Sequence, residues 1–226
     1  MYIEENEGRG ESVILEEGDA LSKIPKTHRH LLTASLRQVF RDPVEHFHSI
    51  AKRCPFPKMK RWLEKLLAKP DWELQLHQGD PPEFCDSGYA WRSKSVRGAM
   101  IDLPIRPSAL RKHAFPQPLA EYYSLVDSVH WNGFGCAGGL SGANGQAALS
   151  EYRLQCHGAD LDPSTASIWG WSPCGDMLIW TIEGRGGWVC HEDGHVHLLG
   201  TIEKTIDWVY AKLIAKESPE YEFGWR

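Results

Sequence analysis

The chain has 226 residues, a formal net charge of −5, and 42% hydrophobic against 24% charged residues. These are the proportions of a globular protein with a buried core, so a folded chain rather than a disordered one is expected. No apolar run is long enough to cross a bilayer, and the acidic start MYIEENEGRGESVILEEGDALSK has neither the basic head nor the apolar stretch of a signal peptide. The expectation is a cytoplasmic protein with no membrane partner.

Charge is unevenly distributed. Residues 1–22 carry seven acids and one base, residues 23–70 twelve bases and three acids, and residues 71–226 twenty acids and twelve bases. The overall sign argues against general nucleic-acid binding. The basic segment is expected to fold back onto its acidic neighbours, with docking to an acidic partner as the alternative. Cys54, Cys85, Cys136, Cys156, Cys174 and Cys190 form no C-x-x-C pair, so free thiols are expected.

In chain order, the first expected helix covers His28 to Phe40, with Leu31, Leu32, Leu36 and Phe40 on one face. Asp42-Pro43-Val44-Glu45 has a capping acid, a proline at the first helical position and a glutamate at the third, which opens a second helix. Cys54-Pro55-Phe56-Pro57 ends it near Arg53, and a third helix follows from Pro57 to about Lys69. Residues 70–105 are rich in proline and are expected to form a connector with one strand. Leu119, Tyr122, Tyr123 and Val126 restore the helical period. Strands are then expected over Ser150–Cys156, Ala166–Trp171, Met177–Ile182, Gly187–His191 and His195–Leu199, and an amphipathic helix over Thr201–Lys216. The fold class is therefore α+β: a mostly antiparallel sheet bracketed by helices, with an N-terminal helical region. Residues 1–80 are expected to hold the acidic segment and the basic helices, separable from an α+β domain over 81–226.

Several stretches carry candidate chemistry. Gly133-Phe134-Gly135-Cys136-Ala137-Gly138 satisfies G-x-G-x-x-G, but the glycines after it are a poor helix start, so no nucleotide cofactor is expected. His157-Gly158-Ala159-Asp160-Leu161-Asp162 sets a base beside two acids in an expected surface loop, without a nucleophile. In GWVCHEDGHVHLLG, Asp193-Gly194 marks a two-residue hairpin turn. That turn would set Cys190 opposite His197 and Glu192 opposite His195, collecting all four on one face and Val189, Val196 and Leu198 on the other. Cys, Glu and two His suit zinc in type. An apolar core face with a polar wet face explains the same pattern, so no metal is expected.

Phe115-Pro116-x-x-Leu119-x-x-Tyr122-Tyr123, the glycine-containing Trp131-Asn132-Gly133-Phe134-Gly135, and Trp169-Gly170-Trp171-x-x-x-Gly175-Asp176 are joined by a last strand at Val196–Leu199 and a closing helix from Thr201. In this order they resemble the SUKH superfamily, which includes bacterial toxin-immunity proteins and a fungal regulator of cell-wall synthesis. Residues 1 to about 100 have no counterpart in that family's minimal domain. The resemblance implies a binding protein without catalysis or cofactor: an immunity protein that neutralises a cognate toxin. An acidic surface suits a basic nuclease toxin. Asp160 and Asp162 in the long loop and Glu192 and Asp193 at the hairpin tip are the expected partner-binding residues. The alternatives are a metal-dependent hydrolase using the Cys190, His195 and His197 face, and a regulatory scaffold.

Overall fold

A computed structural model describes residues 1–6, 10–16, 19–32, 34–68, 72–78, 88–93, 99–101, 114–131, 138–143, 145–152, 154–172 and 175–215. The six-residue glycine motif lies outside these residues except for Gly138, as do Cys85, Cys136 and Cys174 and the segment 132–135.

Three helices come early: α1 (Ala34–Arg41), α2 (Pro43–Arg53) and α3 (Pro57–Leu67). Asp42 caps α2 as its sequence requires, accepting a hydrogen bond from the Glu45 N–H at 3.0 Å. The helix stops at Arg53, before Cys54-Pro55. The first expected helix is divided: Arg29–Leu31 is a 3-10 turn and α1 starts at Ala34. Later come α4 (Gln117–Tyr123) and α5 (Ile202–Ala215). Among the described residues no helix is long and apolar enough to cross a membrane.

The described strands are β1 (Tyr2–Asn6), β2 (Gly10–Leu15), β3 (Trp72–Gln78), β4 (Gly88–Ser93), β5 (Ala99–Ile101), β6 (Val129–Trp131), β7 (Gly139–Leu140), β8 (Ala147–Ala148), β9 (Ala166–Trp171), β10 (Met177–Thr181), β11 (Arg185–Val189) and β12 (Val196–Thr201). They form one antiparallel sheet in the order β1-β2-β3-β4-β5-β6-β7-β9-β10-β11-β12, with β8 paired to the other end of β9. The α+β class is thus observed. Within the connector expected over 70–105 to hold one strand, the described residues form three: β3, β4 and β5. Trp72, Leu74 and Leu76 alternate with polar residues at the strand period. Ser150–Cys156 holds a 3-10 turn over Leu149–Glu151 where a strand was expected.

The helices all contribute to the main core on one face of this sheet. Phe47, Ile50, Trp62, Leu63 and Leu66 from α2 and α3 join Leu74 and Leu76 of β3, Tyr122 of α4 and Ile206 and Tyr210 of α5 in one buried cluster. Trp62 meets Tyr210 edge-on with centroids 5.2 Å apart, and the Tyr122 and Tyr210 hydroxyls are 3.2 Å apart. Asp207 of α5 accepts a hydrogen bond from the Lys58 N–H at 2.9 Å. The expected boundary at residues 80 and 81 falls between β3 and β4, which pair with each other, and side chains from both sides of it share this core.

A smaller cluster lies on the opposite face of the C-terminal strands: Ile168, Met177, Ile179, Val189 and Val196, covered by Leu149, Leu154, Cys156, Ala159 and Leu161. The segment expected as a surface loop therefore closes a second hydrophobic layer. Without it, the apolar face of β9–β12 would be left in water.

Candidate functional site

Near the end of β11 the sheet presents a compact group of polar side chains built around the β11–β12 turn. The pairing differs from the two-residue turn expected at Asp193-Gly194. Val189 lies opposite Val196 and Trp188 opposite His197, while the Cys190 N–H donates to His195 O and the Gly194 N–H to Cys190 O, each at 2.9 Å. The turn is thus four residues long, 191 to 194. Its cause is hydrogen bonding away from the ladder. Asp176 accepts from the His191 backbone N–H at 3.1 Å and lies 2.9 Å from His191 Nδ1. Asp193 Oδ1 accepts from the His195 N–H at 2.8 Å. Gly194, with φ of 80°, supplies the left-handed residue.

The shift is even in number, so Cys190, His195 and His197 still share a face. That face is not uniformly wet. Trp188 and Cys190 are 3% exposed and belong to the main core, since they point toward α5, which crosses the strand so closely at Gly186 that a β-carbon there would strike Thr205. His195 is half-buried, and Glu192, Asp193 and His197 are exposed. Among the described residues no group of three His, Cys, Asp or Glu side chains is arranged to hold a metal ion.

The imidazoles form a row of rings. His197 stacks on Trp188 with centroids 3.9 Å apart and planes 15° from parallel, His195 follows at 4.4 Å, and His157 meets His195 at 5.2 Å. His157 arrives from the covering segment, which adds to the sheet edge: the His157 N–H donates to Gly194 O at 3.0 Å and the Val196 N–H to His157 O at 2.8 Å. Gly158, with φ of 87°, lies so close to the His195 ring that a β-carbon would overlap it.

The four expected partner-binding residues do not form one site. Glu192 and Asp193 are at the tip. Asp160 and Asp162 lie toward the other end of β11, where Arg185 Nη1 donates to the Asp160 carbonyl at 3.1 Å. Asp162 caps the 3-10 turn Pro163–Thr165, accepting from the Ser164 N–H at 2.9 Å and the Ser164 hydroxyl at 2.8 Å. Those two bonds hold its carboxyl below the ordinary range. Glu183, which sequence reasoning missed, stands near this second group. It too is lowered, first by the Thr181 hydroxyl and then by its own backbone, while Asp162 opposes the shift.

Asp193 is lowered first by the His195 N–H, then by a hydrogen bond with the Cys190 thiol, and more weakly by the charges of His157 and His195. Asp193 and Asp162 therefore both have local structural duties, whereas Asp160 is exposed in the segment between His157 and the 3-10 turn. His157, expected as a base in a surface loop, and Asp176, expected only as part of a Gly-Asp turn, take roles at the β11–β12 turn that the sequence did not indicate. Each acts on a turn distant in sequence, and no local pattern marks it.

Comparison with family models, with curated proteins and with solved structures finds no match for this chain.

Proposed function

We propose that this protein is an immunity-type binding protein that neutralises a cognate bacterial toxin by stoichiometric binding. The carrying observation is the exposed Glu192-Asp193 tip, held in one geometry by Asp176 on one side and by His157 on the other. A tip fixed before encounter loses little conformational freedom on docking, so more of the interaction energy remains as affinity. Its carboxylates suit a basic partner such as a nuclease, where opposite charge speeds encounter. The sequence resemblance, which runs through α4, β9, the Gly175-Asp176 turn, β12 and α5, supports the same reading.

The test is surface plasmon resonance against the toxin-like product of a neighbouring gene at two ionic strengths. Glu192→Lys should slow association at low salt, with the difference shrinking as salt rises, because exposed charges act mainly on encounter. Asp160→Lys reports on the second acidic group in the same way. An association rate that neither substitution alters would overturn the assignment of the partner to these two acidic groups.

A further inference from the structure

The helical layer carries a surface that the toxin-binding reading does not use. Arg29, Arg37, Lys52, Arg53, Lys60 and Arg61 are all exposed on the outer side of α1–α3 and the turn before them. Folding back onto acidic neighbours was the expected fate of this basic segment. Among the described residues no carboxylate forms an ion pair with any of these six. Their charge is therefore presented to solvent. Exposed Glu64 stands within one turn of Lys60 and Arg61 and offsets part of their charge, but bases outnumber acids on α1–α3, and exposed charges more than about 8–10 Å away are screened at physiological salt.

We infer that this outer face binds the phosphate backbone of a nucleic-acid duplex. Three observations select that partner. First, the arginines are held ready. Arg29 Nε donates to Ile24 O at 2.8 Å, Arg37 Nε to Leu32 O at 3.2 Å and Arg53 Nε to Ser49 O at 3.3 Å. Each guanidinium plane is thereby fixed by the chain's own carbonyls; Arg29 also donates from Nη2 to Ser22 O at 3.0 Å, which leaves its Nη1, while both terminal nitrogens of Arg37 and Arg53 remain for an anion such as phosphate.

Second, the face has no apolar centre. The exposed large hydrophobic residues among those described are Met1, Ile3, Tyr152 and Ile182, and none is on these helices. A protein partner needs buried apolar or aromatic anchors, whereas nucleic-acid interfaces are polar and strongly positive. Third, single-stranded nucleic acid is held by bases stacked on aromatic rings. Here Phe47, Phe56 and Trp62 are buried in the core and Phe40 is half-buried against it. What remains is recognition of a regular row of phosphates. α2 and α3, eleven residues each, are about 16 Å long, enough to meet several phosphates of a duplex with one charge per about 1.7 Å of axis.

This inference is independent of the toxin-binding proposal, and its test needs no toxin. The full chain is titrated against fluorescently labelled DNA and RNA duplexes of about 20 base pairs, a single strand of equal length and polyglutamate, with anisotropy read at several salt concentrations. The wild type should bind a duplex, more weakly as salt rises. Lys52→Gln with Lys60→Gln and Arg61→Gln should flatten the logarithmic salt slope by about one unit for each phosphate no longer neutralised, with an unchanged circular dichroism spectrum. Arg37→Lys keeps the charge but loses the fixed fork, and should weaken binding several-fold at a nearly unchanged slope. No duplex binding at low salt, tighter binding to the single strand, preferential binding of polyglutamate, or equal duplex affinity in wild type, triple variant and Arg37→Lys would each overturn the inference.

Discussion

The Asp176 carboxylate is 2.9 Å from His191 Nδ1 and also takes the His191 backbone N–H, so the turn between β9 and β10 holds the turn between β11 and β12. Asp176 is 2% exposed, and its own N–H donates to the Ser172 hydroxyl at 3.0 Å. Replacing it by alanine leaves the His191 N–H without its acceptor, at a cost of about 1–3 kcal/mol. Urea unfolding of Asp176→Ala should show that destabilisation. His191→Ala, which keeps the backbone bond, should cost less, and the two substitutions combined in one chain should be less than additive.

The helical layer and the C-terminal helix should stand or fall together. Trp62 is 2% exposed against Tyr210, so Trp62→Ala is expected to cost about 3–5 kcal/mol. A chain truncated to residues 81–226 loses the pairing partner of β4 as well as α3, and should show no cooperative thermal transition by circular dichroism. A sharp transition like that of the full chain would show that the C-terminal part folds alone.

Gly158→Ala should disturb the covering segment twice, through a left-handed backbone and through overlap with the His195 ring. Adding His195→Ala removes only the overlap. The expected result is a destabilised single variant and partial recovery in the double variant, read from thermal unfolding. Full recovery would show that the backbone conformation costs nothing.

His46 supplies a pH dependence. Burial, with Arg53 nearby, holds its imidazole pKa below the ordinary value of 6.5. The unfolded chain therefore takes up a proton first as pH falls, and stability decreases from about pH 6.5 down to the lowered folded pKa. The urea midpoint should be lower at about pH 5.5 than at about pH 7.5, and His46→Gln should reduce that difference. An unchanged difference would assign the effect to other groups.

Cys54 should be chemically silent in the native protein. The residue is 8% exposed; its thiol donates to Phe56 O at 3.5 Å, and its pKa is pushed up to about 11 by burial. Since the thiolate is the reactive form, iodoacetamide near neutral pH should leave the Cys54 peptide unlabelled by mass spectrometry until the protein is denatured.

Features that depend on neighbours along the chain were legible in the sequence. Asp42, Pro43 and Pro55 set the limits of α2, the spacing of Ile202, Ile206 and Val209 set the buried stripe of α5, and Gly, Pro and Asp turns marked off β9 to β12. The period of Trp72, Leu74 and Leu76 was also present, but proline-rich surroundings masked it.

The remaining features depend on hydrogen bonds and apolar surfaces that meet from afar, and so emerged only with the packed fold. The turn after Cys190 lengthened because Asp176 drew His191 out of the ladder, which no local turn rule contains. The Leu154–Leu161 segment became a lid because the second face of β9–β12 needed apolar cover. His157 joined His195 by closing that lid, and Cys190 entered the core because α5 packs across its side of β11. Local pattern limits what each segment can form, and the burial of one segment by another selects which polar groups end up together.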